Sequence, residues 1–135
     1  MVIAAAVAGC GGDDESQVRR EPTRPVTEEP PPREPPGAPL RRATCPPDLE
    51  NCRAAAGRIV FVERVDPDGD GDAHFVLAGA DSVTTPGVTV VDVRRDLRPR
   101  PLPGPGDRLS AAGPVFTGSY GQRQIEAVEV FVRRR

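Results

Sequence analysis

The second half of the sequence predicts an all-β domain, and three observations support that class. Residues 57–65, 73–79 and 87–95 are rich in Val, Ile and Phe, and apolar and polar side chains alternate along the first of them. Residues 108–118 and 123–132 have a similar composition. Turn-forming Asp, Gly and Pro separate these five runs, which is typical of short strands joined by tight turns.

The composition of two further segments is compatible with more than one kind of secondary structure. Residues 97–107 contain four prolines and are therefore predicted to be an irregular connection, because proline cannot donate to a central ladder. Residues 123–132 carry enough charge for a helix, but Ile125 and Phe131 favour a fifth strand. The four phenylalanines, which are Phe61, Phe75, Phe116 and Phe131, all lie in predicted strands and are expected in the core.

Composition limits the class of protein. Hydrophobic residues are 37% of the 135, and Pro and Gly number 17 and 14, so part of the chain is expected to be disordered. The net charge of −2 gives no electrostatic reason to expect a nucleic-acid partner. All 18 basic residues are Arg, which we associate with a G+C-rich bacterial genome.

The N-terminus indicates export. "MVIAAAVAGC" has seven apolar residues, too few to cross a bilayer but enough for the core of a secretory signal. "VAGC" resembles the lipobox of bacterial lipoproteins, although no Lys or Arg precedes the apolar run. The resemblance implies a signal peptide over 1–9, a diacylglycerol group on Cys10 and a lipid-anchored location on the outer face of the cell membrane.

A proline-rich tether is predicted over residues 10–44. It contains eight prolines with six Arg and seven acidic residues, and few large apolar side chains that would drive folding. Two cysteines then bracket "CPPDLENC". Because no second Cys or His pair completes a metal site and export favours oxidation, we expect a disulfide between Cys45 and Cys52 at the start of the domain, 45–135.

The strand pattern over residues 55–132 resembles the OB-fold, a small five-stranded barrel. The resemblance rests on the order of the segments, with "PGDRLSAAGPV" and "GQRQIEAVEV" similar to the hairpin of strands four and five. Uncharacterised exported proteins of high-G+C Gram-positive bacteria have similar arrangements, with a stretch like "VDPDGDGDAHFVL". That family implies no activity.

The aspartate loop "DPDGDGD" has three interpretations. It is a tight turn that needs only Asp and Gly, or it is a calcium site in which Asp66, Asp68, Asp70 and Asp72 supply ligands. In the calcium pattern, position 12 is Leu77 where an EF-hand has Glu. Third, "DGDAH" resembles the "DGDT"-like stretch of thermonucleases, which implies a calcium-dependent hydrolase, but the family's later motifs are missing.

Other residues are candidates for ligand contact. OB-folds bind through strands two and three and the loops after strands one and four, and Tyr120 lies in the second of those loops. Arg94 and Arg95 begin a local basic patch. His74 is expected to be an ordinary strand residue. We therefore expect a non-enzymatic binding or structural module for an envelope ligand, with calcium as a candidate cofactor and a calcium-dependent hydrolase as the alternative.

Overall fold

The computed structural model describes residues 37–63 and 69–135. This part of the chain forms six strands: β1 (Cys52–Glu63), β2 (Ala73–Ala78), β3 (Val88–Val93), β4 (Arg108–Thr117), β5 (Arg123–Glu126) and β6 (Glu129–Arg133). The predicted signal peptide, Cys10 and most of the predicted tether lie outside the described residues. Within the described ranges, no helix is long and apolar enough to cross a membrane.

Five of the strands close into a ring in the order β1-β2-β3-β5-β4, because β1 pairs with β4 as well as with β2. All neighbours are antiparallel except β3 and β5, which run parallel. The twelve residues of β1 make the closure possible. Its first half pairs with β4, its second half pairs with β2, and Arg58 lies at the crossover. The all-β class and the OB-like strand order are therefore confirmed.

The last predicted strand is two strands in the structure. β5 pairs with β3 and β4, whereas β6 pairs only with β4. At the break, the Ala127 N–H donates to the Asp92 carbonyl oxygen at 2.9 Å, and the Val128 N–H donates to the Ala112 carbonyl oxygen at 2.8 Å. The chain changes partner between these two residues, and the sequence pattern of "IEAVEVFV" does not indicate such a change.

The core lies inside the ring and follows the period-2 alternation of the strands. In β2, Ala73, Phe75 and Leu77 are buried, and the residues between them face outward. The same alternation in β3 buries Val91 and Val93. A larger set completes the cluster: Ile59, Val62, Leu109, Ala111 and Ala127.

Three of the four phenylalanines are exceptions to the expected core. Phe61 is 57% exposed and Phe116 is 53% exposed. The register of β1 shifts between Ile59 and Phe61, and a bulge of this kind turns the following side chain to the other face. In β4, Phe116 follows the buried Val115, so simple alternation turns it outward. Phe131 is half-buried beneath Arg41 and lies outside the core cluster, so the expectation that all four phenylalanines form the core holds for Phe75 only.

The segment before β1 packs against the sheet. The Cys45–Cys52 disulfide is present, with 5.8 Å between the two Cα atoms, as predicted. The end of the predicted tether, 10–44, differs from the expectation of disorder: Ala43 is buried, and its N–H donates to the Ser110 hydroxyl at 2.9 Å. The Thr44 N–H donates to the Glu129 carboxylate at 2.8 Å. The segment from Ala43 onward thus covers Ser110 on the outer face of β4.

Candidate binding face

A row of outward-facing residues crosses the ring from β1 to β4. Successive partners in the registers define this outer row: Phe61, Val76, Val90, Gln124 and Phe116. Directly paired residues project from the same face of a sheet, so these side chains form one strip, in which the partly buried Val76 and Val90 and the buried Gln124 separate the two exposed rings. The strip begins and ends with a half-exposed aromatic ring.

A second row lies two residues away from the outer row on β1, β2 and β3. It is polar, and His74 is at its centre. Its partners are Glu63 on β1 and Asp92 on β3. The His74 Nδ1 lies 3.4 Å from the Glu63 carboxylate, and the Nε2 lies 3.5 Å from Asp92 Oδ2. The hydrogen bond to Asp92 raises the pKa of His74 above its usual 6.5, and the charges of Asp92, Glu63 and Asp72 add to the effect, whereas burial opposes it.

Asp92 is the most enclosed member of this polar row. Its side chain is 16% exposed, and its Oδ2 accepts from the Gln124 amide at 3.2 Å. The other carboxylate oxygen, Oδ1, is buried without a hydrogen-bond partner among the described residues. A buried anion of this kind favours a positively charged neighbour, which explains why the His74 ring lies against it.

A chain of hydrogen bonds connects the polar row to the loop after β4. The Gln122 amide donates to the Gln124 Oε1 at 3.0 Å, and the Tyr120 N–H donates to the Gln122 Oε1 at 3.1 Å. Gly118 lies directly beside the two glutamine amides, and its N–H donates to the Gln122 carbonyl oxygen at 2.7 Å. Tyr120 therefore projects from an anchored loop, with its ring 84% exposed.

The aspartate loop borders the opposite end of the face, and the structure describes its second half. Gly69 and Gly71 have positive φ angles of 79° and 84°, and the Asp72 N–H donates to the Asp70 carboxylate at 2.9 Å. These are features of a tight turn. Asp66 and Asp68 lie outside the described residues, and within the described ranges no group of three or more His, Cys, Asp or Glu side chains is arranged to hold a metal ion.

Negative charge accumulates where this loop meets the polar row. Burial raises the pKa of the Asp72 carboxyl above its usual range, and the nearby charges of Asp92 and Asp70 raise it further. A hydrogen bond from the Arg95 backbone and the charge of His74 partly offset this. Carboxylates therefore concentrate at the end of the face beside the loop, where the side chains of Arg95 and Arg98 also lie.

Of the two predicted arginine candidates, Arg94 forms an ion pair at the surface and Arg95 lies against the aspartate loop. Arg94 forms an exposed ion pair with Asp96 at 3.3 Å. The side chain of Arg95 lies against the backbone of Gly71, and the Arg98 guanidinium donates to the Gly71 carbonyl oxygen at 2.6 Å. Arg95 and Arg98 thus contact the aspartate loop.

The sequence analysis named strands two and three, Tyr120 and the aspartate loop as candidates, but it did not name the other residues of this face. Phe61 and Phe116 were assigned to the core, and neither Asp92 nor Gln124 was singled out. A polar residue inside an otherwise apolar strand, as in "VTVVDV", was the available signal for Asp92. The bulge that exposes Phe61 has no signal in the sequence.

Comparison with protein-family models finds no family that matches this chain, and comparison with curated proteins finds no match. The fold and the candidate face therefore rest on the chain's own residues.

Proposed function

We propose that this protein is an envelope-anchored lipoprotein whose OB-like domain is a non-enzymatic binding module, with the outer row and Tyr120 as its ligand contact. The observation that carries the proposal is the strip of outward-facing residues that ends in the exposed rings of Phe61 and Phe116. Exposed aromatic rings that share one face of a sheet with further apolar side chains are candidates for an interaction site. The lipobox-like "VAGC" supports the anchoring at Cys10.

The chemistry of the face suggests the class of ligand. Aromatic rings offer flat apolar surfaces for stacking, and the polar row beside them supplies hydrogen-bonding groups. The carboxylates of Asp72 and Asp92, which lie beside the strip, disfavour a polyanion there. The uncharged N-acetylated sugars and amide groups of a cell-wall glycan and its peptides fit these requirements.

Cosedimentation with purified, insoluble peptidoglycan tests the proposal. The full chain carrying Cys10→Ser, which removes the lipidation site, is expected to pellet with the polymer. The combined variant Phe61→Ser, Phe116→Ser and Tyr120→Ser is expected to weaken binding at least about tenfold, because aromatic anchors carry most interface energy. Val128→Ser is the matched control, since Val128 is also an exposed apolar residue, 41% exposed, but lines a different depression beside Pro46 and Leu49.

The cosedimentation experiment distinguishes the alternatives. Loss of binding in the triple variant and retention in Val128→Ser support the face as the contact. Equal binding by the two variants would contradict it. Calcium-dependent cleavage of a nucleic-acid substrate by the same preparation would instead favour the hydrolase alternative.

Calcium binding by the aspartate loop is part of the proposal. The acidic surroundings of Asp72 support it, because a divalent cation would relieve the repulsion among its carboxylates. Asp66 and Asp68 would supply further ligands. Calorimetric titration with Ca²⁺ is expected to give saturable heat that the double variant Asp68→Asn, Asp70→Asn abolishes. Absence of heat at millimolar Ca²⁺ would make the loop a turn only.

A further inference from the structure

A second cleft, separate from the outer row, lies where β1 passes from β4 to β2. It has a volume of about 370 Å³, within the range of small-ligand pockets. Its charged lining consists of three arginines and one carboxylate: Arg42, Arg58, Arg108 and Asp81. The remaining walls come from the ends of β1 and β2 and the glycine and alanine residues that follow β2. The cleft is therefore small, polar and positively charged.

Two arginines of this cleft, Arg58 and Arg108, belong to a row of directly opposed like charges. Arg58 pairs with Arg108 in the β1–β4 register, and Arg108 pairs with Arg133 in the β4–β6 register. Like charges directly opposite each other destabilise a sheet. Among the described residues, no carboxylate lies within ion-pairing distance of these three guanidinium groups. The fold therefore brings three unpaired cations together on one face.

The segment before the disulfide adds a further cation. The hydrogen bond from the Ala43 N–H to Ser110 fixes this segment against β4, next to the cleft. Arg42 lines the cleft from there and lies 3.7 Å from the Asp81 carboxylate. The same carboxylate oxygen of Asp81 accepts from the Ala56 N–H at 2.8 Å. Asp81 is thus engaged by Arg42 and the backbone, and Arg58 and Arg108 keep their charge uncompensated.

We propose that this cleft binds a phosphate group, with Arg58 and Arg108 as the principal contacts and Arg42 and Arg133 as the flanking charges. Guanidinium groups bind phosphate oxygens through paired, charge-assisted hydrogen bonds, and the anion would relieve the repulsion along the row. The group belongs either to a small phosphorylated molecule or to the headgroup of an anionic phospholipid. This site does not depend on the outer row, so either proposal can fail alone.

The test uses the full chain carrying Cys10→Ser, which removes the lipidation site. In one arm, inorganic phosphate is titrated by calorimetry at low ionic strength without calcium. In the other arm, the protein is mixed with vesicles of phosphatidylcholine with or without phosphatidylglycerol. Arg58→Gln and Arg108→Gln are each expected to weaken binding at least about tenfold, since each removes a charge-assisted contact.

Arg53→Gln is the matched control. Arg53 is an exposed arginine on the same strand, β1, and lies outside the cleft. Phosphate binding that only the two cleft variants lose supports the site and a soluble ligand. Vesicle binding that needs phosphatidylglycerol and is lost in the same two variants supports the site and a lipid headgroup. Binding in neither arm, or an equal loss in Arg53→Gln, would overturn the proposal.

Discussion

At the scale of single residues, His74 connects the fold to the chemistry of the face. It is the only histidine of the chain, so its titration is observed without overlap. The hydrogen bond and charge of Asp92, with Glu63 on the other side, raise its pKa above 6.5. A group whose pKa is raised by folding stabilises the folded state below its unfolded pKa and loses that contribution as the pH rises through the folded pKa.

We therefore predict that the free energy of unfolding, in calcium-free buffer, is higher below pH 6.5 than above the folded pKa of His74. The pKa of Asp72 is also raised, so this group likewise lowers the free energy of unfolding as the pH rises. Its contribution begins to be lost at the usual pKa of 3.8 and therefore falls in the acidic range. Asp92→Asn is expected to lower the pKa of His74 in an NMR titration and to flatten the stability profile above pH 6.5. Glu50→Gln, on the exposed disulfide loop, is the control. An unchanged titration in Asp92→Asn would contradict the assignment.

Gly113 is a second position at which a single substitution is expected to change the free energy of unfolding. A Cβ atom built there would overlap the carbonyl oxygen of Glu126, at the end of β5. Gly113→Ala is expected to lower the free energy of unfolding by about 2 kcal/mol or more, as overpacked sites do. Gly104→Ala, where a Cβ meets nothing within 4 Å, is expected to change it by less than about 0.5 kcal/mol. Equal denaturant midpoints for the two variants would contradict the close approach of β4 and β5.

At the scale of elements, the disulfide loop fixes the start of β1. Cys45 and Cys52 close a loop with a sequence separation of seven. In the chain-entropy treatment, a loop of this size contributes about 2.5 kcal/mol. We expect the double variant Cys45→Ser, Cys52→Ser to lose about that much unfolding free energy in urea denaturation while it keeps its β circular dichroism. A double variant as stable as the parent would show that the bond does not constrain the unfolded chain.

The elements also show how far a single sequence predicts this fold. The alternation in β2 and β3 buries one face of each strand, so both strands were predicted to within two residues at each end. The first five residues of β1, "CRAAA", carry little strand signal, and they form a strand because they pair with β4 to close the ring. The break between β5 and β6 is likewise set by a change of partner. Both features depend on tertiary contacts.

At the scale of the whole molecule, the candidate sites occupy different parts of the ring. The outer row lies between the aspartate loop and the Tyr120 loop, as expected from the OB-like strand order. The arginine cleft lies at the crossover of β1, beside the connection that follows β2. The sequence predicts the two loops beside the first candidate site because turn-forming residues and a single tyrosine mark them. It does not indicate the second site, because register alone brings Arg58, Arg108 and Arg133 together.

The central claim is that the outer row contacts the ligand, and chemical-shift mapping tests it most directly. Backbone amide spectra of the full chain carrying Cys10→Ser are recorded during titration with soluble peptidoglycan fragments. The account predicts saturable shifts along Phe61, Val76, Val90, Gln124 and Phe116, and at Tyr120. Shifts confined to residues outside this strip, such as those around Val128 and Leu49, or no shifts at saturating fragment concentration, would contradict it.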